Sequence, residues 1–362
     1  MEIDGWNPAK VTNDSGETSK KRTTKYSLPY PNGASPADKT SSLFLFETKD
    51  GSVWKPYTSI TTADELKAIS DNLDGSYVLE NDITLSGDWL PLGMNDVSHF
   101  TGCFDVTGNY VIMADELDAS GMETLCGYGS KFAGKLAGNG CKLTLSKPLF
   151  EFNSGLVMRI NAAGTIDGSS EYRYGAIARE NSGGTIYGCS FSGSLTAYGY
   201  AGGICGTNDD GGAVRNCYNT GTVTAQDEYA GGIVGLTSSS TTVSECYNTG
   251  SVSGNEYVGG IVGLSESASK ISDCLNTGRI TGENDVGGIV GVAYETTVTG
   301  VLNAGIAYAP GYYGCISGAS TSDGSYDNCY FIAELSAANY SGKGTGVSTG
   351  NIAELNLGQR ME

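Results

Sequence analysis

Apolar residues in this chain come in short bursts. The stretch from Gly231 to Gly254 reads GGIVGL, then TVSEC, then GSVSG, with Gly, Ser, Asn and Thr between the bursts. None is long enough, or periodic enough at 3.6 residues, to be an amphipathic helix. Short β-prone pieces separated by turn residues predict several short strands in succession.

The bursts repeat. GGICG at Gly202 returns as GGIVG at Gly231, Gly259 and Gly287, at spacings of 29, 28 and 28 residues. Weaker copies lie on both sides: PLFEF from Pro148, GAIAR from Gly175 and GCISG from Gly314. A fixed period of this length with three strand-like bits per unit predicts the coils of a parallel β-helix, with about 28 residues per coil, from Pro148 to about Ile332. A propeller blade needs about 40 residues.

Energetics require the copies to stack. Ordering the backbone costs ~1–2 kcal/mol per residue, while each buried apolar side chain returns only ~1.5–3 kcal/mol. A lone coil is unstable; neighbours supply its ladder hydrogen bonds and its dry core. In register, successive coils are ~4.8 Å apart, so residues one period apart touch.

Three columns follow from that register. Ile160, Cys189, Cys217, Cys246, Cys274, Val301 and Cys329 share one position. A slot that accepts Ile, Val and Cys is an apolar core slot, where a free thiol acts as a small hydrophobe. Zinc is disfavoured, because the chain has no Cys-x-x-Cys and its one histidine is His99. Two residues on stand Asn219, Asn248, Asn276 and Asn303, with Phe191 and Phe331 in the flanking copies. An amide ladder is one reading of these asparagines and a ligand site the other. The third column is Arg173, Tyr200, Tyr229, Tyr257, Asp285 and Tyr312. Its charged members place it toward water. Its tyrosines either brace a turn or, with Glu228 and Glu256 beside them, offer an amphipathic surface to a sugar or a protein.

The flanks differ in character. TTADELKAISDNL predicts a helix over 62–73, with Thr62 and Glu65 as a capping box and Leu66, Ile69 and Leu73 as its apolar stripe. Ahead of a solenoid such a helix is a cap that protects the open sheet end. Two alternating strands follow within GSYVLENDITLSGDWLPLG, and Phe100–Phe150 reads as less regular coils. Three segments result: 1–58, extended with a hairpin around Asp50-Gly51; 59–340, the β-helix; and 341–362, a tail with a short helix near NIAELN.

Composition narrows the function classes. With 54 glycines and only 8 prolines in 362 residues, the chain suits an all-β fold rich in tight turns. Forty acidic against 21 basic residues leave a net charge of -19, which disfavours nucleic acid and anionic membrane as partners. No run of 18 apolar residues exists to span a bilayer. The basic cluster Lys20–Lys25 reads as a solvated run.

GGIVG followed by CYNTG-x-V resembles the GLUG motif repeat of bacterial surface proteins, and ADELKAISDNLDGSYVLENDITL resembles the segment that precedes those repeats. The resemblance covers roughly residues 60–350. It implies a right-handed, single-stranded parallel β-helix in a secreted or surface-anchored, adhesin-like protein, some relatives of which carry the repeat beside an immunoglobulin-cleaving metallopeptidase. No His-Glu-x-x-His occurs here, so that peptidase chemistry is not in this chain. The opening MEIDGWNPAK lacks a secretory leader pattern and no sorting signal follows Gly350, so extracellular placement is an expectation from the resemblance alone.

The expected function is therefore non-enzymatic: a surface or secreted solenoid that binds a glycan or protein partner, or acts as a stalk, with no cofactor required and calcium the one ion its acidic turns could take. Two alternatives stand beside it. A phage tail-spike or fibre would use the same shaft for receptor binding. A polysaccharide lyase or glycosidase would need clustered carboxylates with calcium or a base, for which the candidates are Asp209, Asp210, Asp227, Glu228, Glu256 and Asp285. Ice binding is set aside because Arg279 interrupts the Thr222/Thr224 and Ser251/Ser253 array.

Overall fold

The computed structural model describes residues 126–320, 324–335 and 343–349 continuously, with 58–72 and short strands at 9–10, 24–25, 77–79, 83–84, 105–106, 111–112 and 116–119. The Asp50-Gly51 hairpin, Leu73, Cys103 and the helix near NIAELN lie outside the described residues, as do the side chains of Cys126 and Cys141.

One coil shows how the sequence folds. Its strands are Val234–Thr237, Thr242–Ser244, Tyr247–Asn248, Val252–Ser253 and Val258–Gly259. Each lies parallel to its counterpart one repeat on: Val234 faces Val262, Val243 faces Ile271, Asn248 faces Asn276, Val252 faces Ile280 and Val258 faces Val286. Stacking these coils gives a nine-stranded sheet, two six-stranded sheets, and a longer ladder running from Thr58–Ile60 to Thr345–Val347. The fold is a parallel β-solenoid.

Alternation fixes which side chains enter the core. In Thr297–Thr299, Thr297 is exposed, Val298 fully buried and Thr299 half-buried, as a period of two requires. Ile204, Ile233, Ile261, Ile289 and Ile316 form one fully buried column, and Val214, Val243, Ile271 and Val298 another. The paired glycines of GGIVG are steric. A Cβ on Gly232 would stand 2.2 Å from the carbonyl oxygen of Gly260, and one on Gly231 would stand 1.9 Å from that of Val234. No side chain fits between backbones that close.

A second backbone constraint precedes the cysteine slot. Gly188, Asn216, Glu245, Asp273, Gly300 and Asn328 all adopt left-handed φ values between 49° and 66°. Glycine, Asn and Asp tolerate this conformation, whereas Glu245 is strained by it.

At the N-terminal end, the helix is shorter than the sequence predicts. It spans Ala63–Lys67 and tightens to a 3₁₀ turn at Ala68–Asp71. Ser70, Asp71 and Asn72 compete for backbone hydrogen bonds and are poor at extending a helix. The capping box is present: the Glu65 amide donates to Thr62 Oγ1 at 3.2 Å, and the Thr62 amide donates to Glu65 Oε2 at 3.2 Å. Thr58–Ile60 pairs with Tyr77–Leu79, which pairs with Val111–Ile112, which pairs with Lys135–Leu145, so the leading strands are continuous with the repeats. The irregularity read over Phe100–Phe150 appears as a register shift between Ala137 and Cys141. At the other end, Thr345–Val347, inside the stretch read as a tail, adds a parallel strand to Tyr330–Ile332.

One position departs from the repeat for a clear reason. Arg179 occupies the slot held by Gly206, Gly235, Gly263 and Gly291 in later coils. There a Cβ would strike the backbone of the preceding coil; on Gly206 it would lie 2.7 Å from the Tyr174 amide nitrogen. The sheet to which Tyr174 belongs begins at Arg173–Gly175, so no earlier strand crowds Arg179. Its guanidinium fills the notch, bonding Glu151 at 2.9 Å and Glu171 at 3.1 Å and lying 5.3 Å from the Tyr174 ring centroid.

Candidate binding ridge

Tyr200, Tyr229 and Tyr257 stand at one corner, at the start of the sheet that runs from Arg173–Gly175 to Tyr313–Gly314. Their neighbours Ala201, Ala230 and Val258 are fully buried, so alternation turns the tyrosines outward. All three are half-buried. The rings of Tyr200 and Tyr229 lie 4.6 Å apart with planes 4° from parallel, and those of Tyr229 and Tyr257 lie 5.1 Å apart at 29°. Tyr172 meets Tyr200 edge-on at 4.9 Å and Tyr198 at 6.1 Å. Tyr172 and Tyr198 are 42% and 43% exposed, so the ridge continues into solvent on that side.

Stacking changes what the ridge can hold. The sequence reading has these tyrosines brace a turn or offer an amphipathic surface to a sugar or a protein. The structure turns their faces to one another and leaves their edges outermost, because the coil rise matches the stacking distance of aromatic rings.

Carboxylates surround the hydroxyls. The Tyr172 hydroxyl donates to Glu228 Oε1 at 2.8 Å, while the other oxygen of Glu228 is buried with no hydrogen-bond partner among the described residues. That hydrogen bond pushes the Tyr172 hydroxyl pKa well up. Burial, and then the charge of Glu228, raise those of Tyr200 and Tyr229. Burial raises that of Tyr257 too, helped by Tyr294 and by the exposed Glu256. Asp285, next in the column, is pushed up by burial and by the charge of Glu256. The nearby cation Arg173 is held by Glu180, so the ridge is net acidic.

Tyr257 carries backbone strain as well. Its φ is 49°, in the left-handed region, and Asp285 in the same slot has φ 53°. A tyrosine held there costs of order 1–3 kcal/mol. Asp285 fits the same backbone one coil on, so the turn itself does not demand an aromatic ring.

The other named columns point inward. Cys189, Cys217, Cys246 and Cys274 are buried free thiols, with Cys205, Cys315 and Cys329. Cys217, Cys246 and Cys274 donate to carbonyls two residues back at 3.2, 3.1 and 3.1 Å. Burial drives their pKa values far up and that of Cys329 to about 11, which keeps them protonated and inert. Asn219, Asn248, Asn276 and Asn303 form a chain of amides, Nδ2 to Oδ1, at 2.8, 2.9 and 2.9 Å. Each also bonds the glycine two residues on, so the side chains are satisfied internally.

The candidate acids elsewhere serve turns. Ser238 donates to Asp209 Oδ1 at 2.9 Å and Ser182 to Asp210 Oδ2 at 2.7 Å. Burial raises the Asp209 pKa, but hydrogen bonds from Ser239, the Asp210 amide and Ser238 outweigh it and lower the value overall. Among the described residues no group of three or more His, Cys, Asp or Glu side chains is placed to hold a metal. No helix among them is long and apolar enough to cross a membrane.

Two further ladders escaped the sequence reading. Asn153, Asn181 and Asn208 are fully buried and joined Nδ2 to Oδ1 at 2.6 and 2.7 Å. Their spacing carries the period, but Thr237 and Ser265 continue the column and disguise it. Tyr218 and Tyr247 stack at 4.9 Å with planes 2° apart, on the outward position between the cysteine and asparagine of CYNTG.

Residues 197–224 and 254–281 match the GLUG motif. Two coils carry it. The first window contains Tyr200 with the core cysteines Cys205 and Cys217 and the ladder asparagines Asn208 and Asn219, and the second contains Tyr257 with Cys274 and Asn276. The crystal structure of a Bacteroides ovatus protein provisionally named an immunoglobulin A1 protease is similar in fold. The likeness covers 84% of this chain and 88% of that one, with a TM-score of 0.53 and 19% sequence identity. No curated protein matches.

Proposed function

We propose that this GLUG-repeat solenoid is a non-enzymatic, adhesin-like protein of the cell surface or extracellular space, and that its tyrosine ridge engages a glycan or protein partner. One observation carries the reading: Tyr200, Tyr229 and Tyr257 form a contiguous outward aromatic stack, flanked by the Tyr172–Glu228 hydrogen bond. The GLUG motifs support the setting, through the resemblance to bacterial surface proteins that they carry.

The fold supplies rigidity. Every ridge residue sits on or beside a strand whose inward neighbours are fully buried, so the rings are held in place before a ligand arrives. The test is an array of glycans and purified surface proteins probed with the intact chain and with Tyr200→Ala/Tyr229→Ala/Tyr257→Ala. A ligand held by the intact chain and lost by the variant is the result this reading predicts. A ligand held equally by both would leave the solenoid as a spacer.

A further inference from the structure

We infer that the ridge's ligand is a Lys/Arg-rich polypeptide segment of a partner protein rather than a saccharide. The inference rests on the reading of the ridge as a binding surface and narrows its chemistry.

The first argument is geometric. Saccharide recognition by tyrosine uses an open ring face, against which the C–H groups of a pyranose pack. Here both faces of the Tyr229 ring are covered, one by Tyr200 and the other by Tyr257. With the faces covered, the part of these half-buried rings left toward solvent is their edges, at the spacing of the coils. Edges of this kind pack well alongside the aliphatic stems of lysine and arginine, whose charged heads remain in water or reach a carboxylate.

The second argument is charge. Glu228 and Glu266 act on Tyr200 and Tyr229, while Glu256 and Asp285 act on Tyr257. Arg173 is occupied by Glu180, and Arg179 by Glu151 and Glu171. The ridge therefore presents an uncompensated row of carboxylates along three coils, in a chain of net charge -19. Such a row attracts an extended basic segment and repels acidic sugars. The third observation is local. One Glu228 oxygen is buried with no donor among the described residues. A buried carboxylate oxygen without a donor is costly, and it places the Glu228 charge directly beneath the tyrosine edges.

The experiment uses the full chain and a fluorescent peptide of alternating Lys and Ser, followed by anisotropy at about 50 mM and about 500 mM salt. Three variants accompany it: the tyrosine triple; a ridge-charge variant, Glu228→Gln/Glu256→Gln/Glu266→Gln/Asp285→Asn, which keeps the rings; and a control, Asp64→Asn/Glu245→Gln/Asp273→Asn/Asp327→Asn, which removes equal charge elsewhere. Thermal melts confirm that each is folded. The inference predicts binding that fades at high salt, falls about tenfold or more in both ridge variants, and changes less than about twofold in the control. Equal loss in the two charge variants would mean non-specific attraction to a polyanion and would overturn it. A saccharide that binds the intact chain, survives the ridge-charge change and is lost with the tyrosines would overturn it too, while leaving the ridge as the binding surface. Binding of neither probe class at the tyrosines would remove both.

Discussion

Asn219 and Asn248 lie one coil apart and are joined through their side chains, Nδ2 of the first donating to Oδ1 of the second at 2.8 Å. Asn248 also accepts from the Gly250 amide at 3.2 Å and donates to the Gly250 carbonyl at 3.0 Å. The side chain thus ties the turn of its own coil to the turn of its neighbour. Replacing it strands buried polar groups on both sides. Asn248→Ala is expected to destabilise by ~1–3 kcal/mol, read as a lower urea midpoint with an unchanged slope. An unchanged midpoint would show that the ladder contributes no net stability.

Backbone strain yields a prediction of opposite sign. Glu245 has φ 56°, while Gly188 and Gly300 hold the same slot at 62° and 66°. Removing the Cβ relieves ~1–2 kcal/mol of left-handed strain, and glycine gives back ~0.5–1 kcal/mol in unfolded-state entropy. Glu245→Gly should raise the melting temperature slightly. The reverse change, Gly300→Glu, should lower it clearly, since a Cβ there would also sit 2.7 Å from Asp273 Oδ1. Calorimetry of the two variants checks both signs.

The thiol core predicts an alkaline weakness. Burial raises the pKa values of Cys217, Cys246 and Cys274 well above the ordinary thiol value, whereas the unfolded chain releases those protons near that ordinary value. Above it the unfolded state binds fewer protons than the native state, so stability falls as pH rises. The contribution is complete below about pH 8 and diminishes beyond it by up to ~1.4 kcal/mol per thiol per pH unit. Valine occupies this slot at Val301. Cys217→Val/Cys246→Val/Cys274→Val should therefore lose less stability than the native chain between about pH 8 and about pH 10. Equal slopes would assign the alkaline loss to tyrosines or other groups.

How much of this was legible beforehand depends on what the period encodes. The fold was, because Gly231, Gly259 and Gly287 keep a spacing that only stacked coils impose, and because Ile160 and Val301 stand where the cysteines stand. The outward direction of the tyrosine column was legible from Arg173 and Asp285. That its rings stack on one another follows from the coil rise, but which ring surfaces then remain for a ligand leaves no trace in residue type. The Arg179 notch was hidden for a similar reason: a glycine slot accepts arginine only where a neighbouring strand is missing. The Asn153–Asn181–Asn208 ladder was written in the period, but Thr and Ser carry the column onward and break its identity.

The ridge has a matched stack on another sheet of the same solenoid. Tyr218 and Tyr247 lie 4.9 Å apart at 2°, are half-buried like the ridge rings, and belong to a different ladder. Comparing Tyr200→Ala/Tyr229→Ala/Tyr257→Ala with Tyr218→Ala/Tyr247→Ala separates recognition from bracing, because both remove stacked rings from outward positions. The decisive measurement is ligand affinity of the two variants beside their melting temperatures, using whichever array ligand or basic peptide the native chain holds. The predicted result is binding lost in the ridge variant and kept in the other, with similar small drops in melting temperature. Binding that survives in the ridge variant, or falls equally in both, would contradict a recognition role for the tyrosine ridge.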